Sequence, residues 1–182
     1  MMSLQGILPF GWVLGTLGEC SSISDGDWIE SKDQGGNSYR LLQVSNIAVG
    51  NFRETDNFRY ITQETFDRLR CKEVLPGQIL VSRMPEPVGR AWLVNHRPWK
   101  AITAVDVAIV EVDGSRLDAK FCTYYLNSPI NLAHAQARAS GTTRLRITRR
   151  DLATFPVPLP PLTTQRKIAA VQIGRASCRE RV

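Results

Sequence analysis

Four short apolar runs bounded by turn residues recur through the middle of the chain: Tyr39 to Val44, Gln78 to Ser82, Ala91 to Val94 and Val107 to Val112. Runs of this length, closed by Gly, Pro or Asp, predict β-strands. Pro76-Gly77 precedes the second and Asp113-Gly114 follows the last, each supplying the fixed or positive φ that a tight turn requires. Elsewhere a helical period takes over. Gln63 to Arg70 places Phe66 and Leu69 on one face; Asp118 to Leu126 and Pro129 to Ala139 follow with Ala-rich spacing, Pro129 standing at a tolerated first-turn position. Thr148 to Thr154 predicts a further short helix, in which Thr148 caps the amide of Asp151 and the Asp151 carboxylate sits in the electropositive first turn. Strands and helices mix, so the expected fold class is α+β or mixed α/β, a single globular domain with a twisted β-sheet and flanking helices.

From Phe155 the pattern changes. Phe155-Pro156-Val157-Pro158-Leu159-Pro160-Pro161-Leu162 excludes a helix, because alternate prolines remove donors and force their predecessors into extended geometry. It predicts a stiff strap. Thr163 to Val171 regains helical patterning with Ile168 and Val171 on one side, an apolar pair that predicts an association surface or folding back onto the domain. Ile173 to Val182 abandons the apolar period and is read as a non-native tail, such as a cloning scar or a frameshift. The expected organisation is a domain over 1–162 that includes the strap, the start of a long helix over 163–172, and the tail over 173–182.

At 182 residues the chain has the length of about one domain, and 43% hydrophobic against 22% charged residues excludes disordered and fibrous classes. Cys20, Cys71, Cys122 and Cys178 lack CxxC spacing and have only two histidines beside them, so they indicate neither a zinc site nor a disulfide framework. They read as reduced thiols in a cytoplasmic protein. The apolar stretch from Ile7 to Leu14 is interrupted by Pro9 and Gly11, has no basic lead-in and falls short of the ~20 residues of a membrane span, so no membrane partner is expected.

Charge gives the first functional pointer. Lys and Arg number 23 against 17 Asp and Glu, a net of +6 that favours a polyanionic partner, nucleic acid first. Two of those units belong to the tail, where Arg175, Arg179 and Arg181 face Glu180. Between Asp118 and Asp151 the chain has no carboxylate, yet it carries Lys120, Arg138, Arg144, Arg146, Arg149 and Arg150. A one-sign segment of this kind is a footprint for phosphate. Inside it, Ser140-Gly141-Thr142-Thr143-Arg144 is a small hydroxyl-rich turn suited to amide and hydroxyl contacts with phosphate oxygens. The plainer alternative is a solvated loop between helices whose arginines cover neighbouring carboxylates.

A second basic region holds Arg83, Arg90, His96, Arg97 and Lys100, interleaved with Trp92 and Trp99 and opposed by Glu86 alone. Arg83 and Arg90 flank a turn after a strand, from which a long side chain would reach a base edge; the plainer alternative has the tryptophans packing and His96 at the surface. The candidate DNA-binding set is therefore Arg83, Arg90, Lys100, Arg138, Thr142, Thr143, Arg144 and Arg146. Arg83 and Arg90 are assigned to bases, Arg144 and Arg146 to phosphates.

Catalysis finds little support. Asp27 with Glu30-Ser31-Lys32 superficially matches a nuclease acid and ExK pair, but all of it is compressed into one loop. Glycine-rich phosphate loops and an Asn-Pro-Pro-aromatic run are absent, and neither His96 nor His134 has a local nucleophile signature. No catalytic, cofactor-binding or metal-binding residue is assigned, and no cofactor is expected.

Seven motifs in order carry a family resemblance: Trp12 with Leu17-Gly18-Glu19; Leu41-Leu42-Gln43-Val44-Ser45-Asn46-Ile47; Pro76-Gly77-Gln78-Ile79-Leu80; Val88-Gly89-Arg90-Ala91; Tyr124-Tyr125-Leu126-Asn127-Ser128-Pro129; Gly141-Thr142-Thr143; and Asp151 to Leu162 with Gln165 and Ile168-Ala169. Together they resemble a target recognition domain of the specificity subunit of Type I restriction-modification enzymes, over residues 12 to about 171. The resemblance implies a non-catalytic reader of double-stranded DNA that gives sequence choice to separate modification (methyltransferase) and restriction (endonuclease) subunits. It also implies that the helix after the strap begins a spacer. A complete family member has two such domains, so the chain looks like half a specificity subunit, truncated or naturally short, completed by a second recognition domain or a homodimer. Gln78, Arg144 and Thr164 depart from the family's usual Asp, Gln and Glu. Two other readings compete: an enzyme with dispersed catalytic residues, and an adaptor using the strap as a polyproline ligand.

Overall fold

The computed structural model describes residues 8–141 and 144–179, the side chains of 172–179 excepted. The class is the mixed α+β one predicted, but the strands are divided among two sheets and a two-stranded ribbon. The larger sheet is antiparallel and joins β2 (Ser21–Asp25), β8 (Val107–Val112), β5 (Ile79–Ser82) and β6 (Ala91–Leu93) in that order. The smaller sheet joins β4 (Tyr60–Ile61), β3 (Tyr39–Leu42) and β7 (Ala101–Thr103), with β3 and β7 parallel.

All residues of β5 and the first four of β8 are buried because the larger sheet is covered on both faces. Alternation sends Ile79, Val81, Ala108 and Val110 to a core shared with Leu17, Phe121, Leu126, Leu152 and Phe155. Leu80, Val107 and Ile109 turn the other way, to Leu42, Ile47, Val74 and Trp92. Trp92 is 3% exposed, so the packing role is the observed one.

The helices fall where the apolar period places them: α1 (Gln63–Leu69), α2 (Ala119–Leu126), α3 (Pro129–Arg138) and α4 (Arg149–Ala153). Each has a side-chain N-cap, since Thr62, Asp118, Ser128 and Thr148 accept from the amides of Thr65, Phe121, Asn131 and Asp151.

The strap is a strand. β9 (Pro156–Leu159) pairs antiparallel with β1 (Val13–Thr16), Gly15 standing opposite Val157. Pro156 and Pro158 share one parity, while the Phe155 carbonyl accepts from Leu17 on the other, so the missing proline donors lie on the unpaired edge. Its pairing opposes use as a free polyproline ligand. Behind it α5 (Leu162–Arg179) is anchored by Gln165, which is fully buried. The Gln165 amide accepts from the Asp118 N–H at 2.8 Å and donates to the carbonyls of Arg116 and Pro160 at 2.9 and 2.8 Å. Ile168 packs on the domain's own core, and Val171 stays 58% exposed. No helix among the described residues is long and apolar enough to cross a membrane.

Candidate nucleic-acid interface

The later part of the carboxylate-free stretch, from Arg138 to Arg150, surrounds the loop between α3 and α4, while Lys120 lies apart on α2. Ser140 and Arg146 exchange backbone hydrogen bonds of 3.1 and 2.9 Å, closing the loop at its neck. Gly141 has φ +132° there, and a Cβ in its place would lie 2.3 Å from the Arg144 carbonyl oxygen, so the neck requires glycine. Arg138 and Arg144 are exposed, while Arg146 is partly exposed and pairs with Asp106 at 3.3 Å. Thr142 and Thr143 lie outside the described residues. Past the neck, the Ile147 amide donates to the Arg83 carbonyl and docks the segment against the end of β5.

That docking brings α4 beside β2 and opens a hollow of about 500 Å³ lined by Asp25, Arg83, Thr148, Arg149 and Arg150 among others. Arg149 and Arg150, in the basic stretch but not singled out from sequence, are both exposed at its mouth. Asp25 is shared, with Arg83 at 3.2 Å and Arg149 at 3.7 Å from its two oxygens. Ion pairing offsets only part of the charge on this face, and Arg144 and Arg150 form no ion pair among the described residues.

Arg83 and Arg90 are not placed as groove readers. Arg90 is 6% exposed and donates to four backbone carbonyls, those of Val44, Ile47, Met84 and Pro87. Every N–H direction that a guanine would need is turned inward, and the base-reading assignment gives way to a strut between the β5–β6 turn and the segment after β3. Arg83 is 3% exposed, bonded to the Val105 carbonyl and paired with Asp25. Burial lowers both guanidinium pKa values from the ordinary arginine range; Asp25 opposes this for Arg83.

Lys100 lies elsewhere, exposed, with its ammonium 5.3 Å from the Tyr39 ring centroid. Its sequence neighbours Arg97 and Trp99 enter an arginine-aromatic cluster. Arg40 lies over Phe52, Phe58 and Trp99 and pairs with Glu54; Arg97 lies over Phe52, Trp92 and Trp99. Trp92 and Trp99 were already interleaved with Arg97 in the basic region read from the sequence, whereas Arg40, Phe52 and Phe58 join them from earlier in the chain. The structure does not bring Lys100 together with the Arg138–Arg150 face.

The nuclease-like residues serve packing and surface pairing. The Asp27 carboxylate accepts from the Lys72 amide, and burial raises its pKa, while Glu30 and Lys32 form an exposed ion pair at 2.8 Å. His134 packs edge-on against Phe155, and burial, reinforced by Arg138, lowers its pKa. Cys20, Cys71 and Cys122 are buried free thiols; burial pushes Cys71 up to about 11 and Cys122 higher still, which disfavours reactive thiolates. Cys178 lies outside the described side chains.

The Type I restriction modification DNA specificity domain family matches residues 9–172, and the chain belongs to that family. A curated relative, the Type I restriction enzyme EcoEI specificity subunit of Escherichia coli, is 25% identical over 169 residues, which are 88% of this chain and 28% of the relative. Among solved structures, a chain from work on complex assembly and conformational transition of the type I R-M system superposes with a TM-score of 0.71 at 25% identity, over 94% of this chain and 40% of that one. The HsdS subunit from Thermoanaerobacter tengcongensis gives 0.67 at 24%, over 94% and 39%, and shows the same fold. The chain thus spans well under half the length of these relatives.

Proposed function

We propose that this domain binds double-stranded DNA and supplies sequence choice to separate modification and restriction subunits, performing no covalent chemistry itself. The observation that carries this is the exposed arginine face from Arg138 to Arg150, organised by the Gly141 neck, in a member of the specificity-domain family. Arg138, Arg144, Arg146, Arg149 and Arg150 are the phosphate contacts, and Thr142 and Thr143 belong to the same loop. Base reading falls to loops other than the one holding Arg90. A second recognition domain, on a longer chain or a second copy, completes a bipartite site, with residues 163–172 of α5 as the start of the spacer; α5 runs on unbroken to Arg179, so the segment over 173–182, which we propose as a non-native tail, begins inside that helix. The cytoplasm is the proposed location.

Incubation with duplex DNA, Mg²⁺ and S-adenosylmethionine tests this: duplex retention without cleavage or methylation is expected. Cleavage or methylation by the purified chain overturns the non-catalytic reading. Methylation mapping in the presence of the modification subunit then names the half-site, and modification with no sequence preference would remove the specificity role.

A further inference from the structure

Arg40 and Arg97 stack on the same two rings, Phe52 and Trp99, yet only one of them has a counterion. Arg40 pairs with Glu54. Arg97 has no carboxylate within ion-pair distance among the described residues, and its Nε is buried without a hydrogen-bond partner. A half-buried guanidinium held over aromatic faces with spare donors is poised for an anion, because leaving such a group unpaired is costly. The space for that anion is present. Arg97 lines a hollow of about 440 Å³ between the Phe52 loop, β6 and α2, within the size range of small-molecule sites. Lys120 supplies a second cation, Asn51 and Asn95 supply amides, Tyr124 a ring, and no carboxylate lines it.

We propose that this hollow binds the phosphate group of a nucleotide, with Arg97 and Lys120 as its cations and Asn51, Asn95 and Tyr124 as neighbours for the base. Two cations answer an anionic phosphate, whether a monoester or a diester, and amide side chains with aromatic rings are the groups that engage a base edge and face. The site is distinct from the Arg138–Arg150 face. Trp92 and Leu93 on its wall belong to β6, one edge strand of the larger sheet, whereas the hollow beside Arg149 and Arg150 is lined by Ser21, Ile23 and Asp25 of β2, the other edge strand. The nucleotide is either free or part of a DNA strand, and the shared chemistry is the same.

Titration of the whole chain with adenosine monophosphate, followed by tryptophan fluorescence, tests the assignment, because Trp92 lines the hollow. Saturable quenching is expected, with weaker responses to inorganic phosphate or adenosine alone. Arg97→Gln and Lys120→Gln should each weaken binding by about tenfold or more, while Lys72→Gln, at an exposed position outside both the hollow and the arginine face, leaves it unchanged. If Arg97→Gln fails to fold, Lys120→Gln decides, since Lys120 is exposed. Displacement of the monophosphate by a short single-stranded oligonucleotide assigns the site to a strand; saturable binding without displacement assigns it to a free nucleotide. No saturable response up to about 10 mM, or wild-type binding by both variants, overturns the proposal. A chain that binds the monophosphate but no duplex would retire the duplex-binding proposal and leave this one standing.

Discussion

Arg90 and Arg144 carry the same side chain in two regions of the molecule that the sequence makes look alike, each beside a glycine turn in a basic stretch. In the β5–β6 turn, Arg90 is sunk among four carbonyls and ties two segments together. In the α3–α4 loop, Arg144 stands exposed with no ion pair among the described residues. The difference teaches that an arginine's role is set by where its donors terminate. Main-chain carbonyls from distant segments consume the first, and water or a ligand is left to meet the second.

The largest expected effect is on the buried side of this comparison. Arg90→Met should lower the unfolding free energy by about 3 kcal/mol, because four carbonyls lose a charged donor together. Urea unfolding measures it, and a loss below about 1 kcal/mol would mean that the strut contributes little. Gly141→Ala should cost about 1 to 2 kcal/mol by forcing a side chain into positive φ against the Arg144 carbonyl. Stability unchanged in the same assay would show that the neck relaxes freely. By contrast, Arg144→Ala and Arg150→Ala should each change stability by less than about 0.5 kcal/mol, and larger losses would erase the contrast between the two regions.

The smallest effect concerns His134. Its folded-state pKa is depressed, first by burial and then by Arg138, so the native state favours neutral imidazole. A depressed histidine contributes stability that is complete above the unfolded value of about 6.5 and is lost as pH falls through the folded value. The melting temperature should therefore fall modestly below about pH 6.5, and His134→Gln should flatten that part of the profile. An unchanged slope in the variant would assign the acid sensitivity to other groups.

The parts of the fold that were legible in the sequence are those whose burial leaves a local trace. β5 and β8 are covered on both faces and read as continuous apolar runs, and helices α1 to α4 carry both their period and their capping residues. β2 escaped notice because Ser21-Ser22-Ile23-Ser24-Asp25 is an edge strand with little apolar content, held by its register with β8. β1 escaped because its partner is the strap, at the far end of the chain. The basic face was legible as a charge run without carboxylates. The burial of Arg83 and Arg90 was not, since their partners include carbonyls of Val44, Ile47 and Val105, which every residue type offers. Arg97 beside Trp92 and Trp99 was legible as a basic-aromatic interleaving, whereas the share of Arg40, Phe52 and Phe58 in that cluster was not, because the fold alone draws them in.

The salt dependence of duplex binding tests the central claim most directly. Binding of a mixed-sequence duplex should weaken steeply with salt, each phosphate contact contributing roughly 0.9 to the negative slope of log K against log salt. Replacing Arg144, Arg149 and Arg150 by alanine together should reduce that slope by about 2 to 3 while the fold is retained. Binding that is indifferent to salt, or a triple variant with the wild-type slope, would contradict the assignment of the Arg138–Arg150 face to DNA.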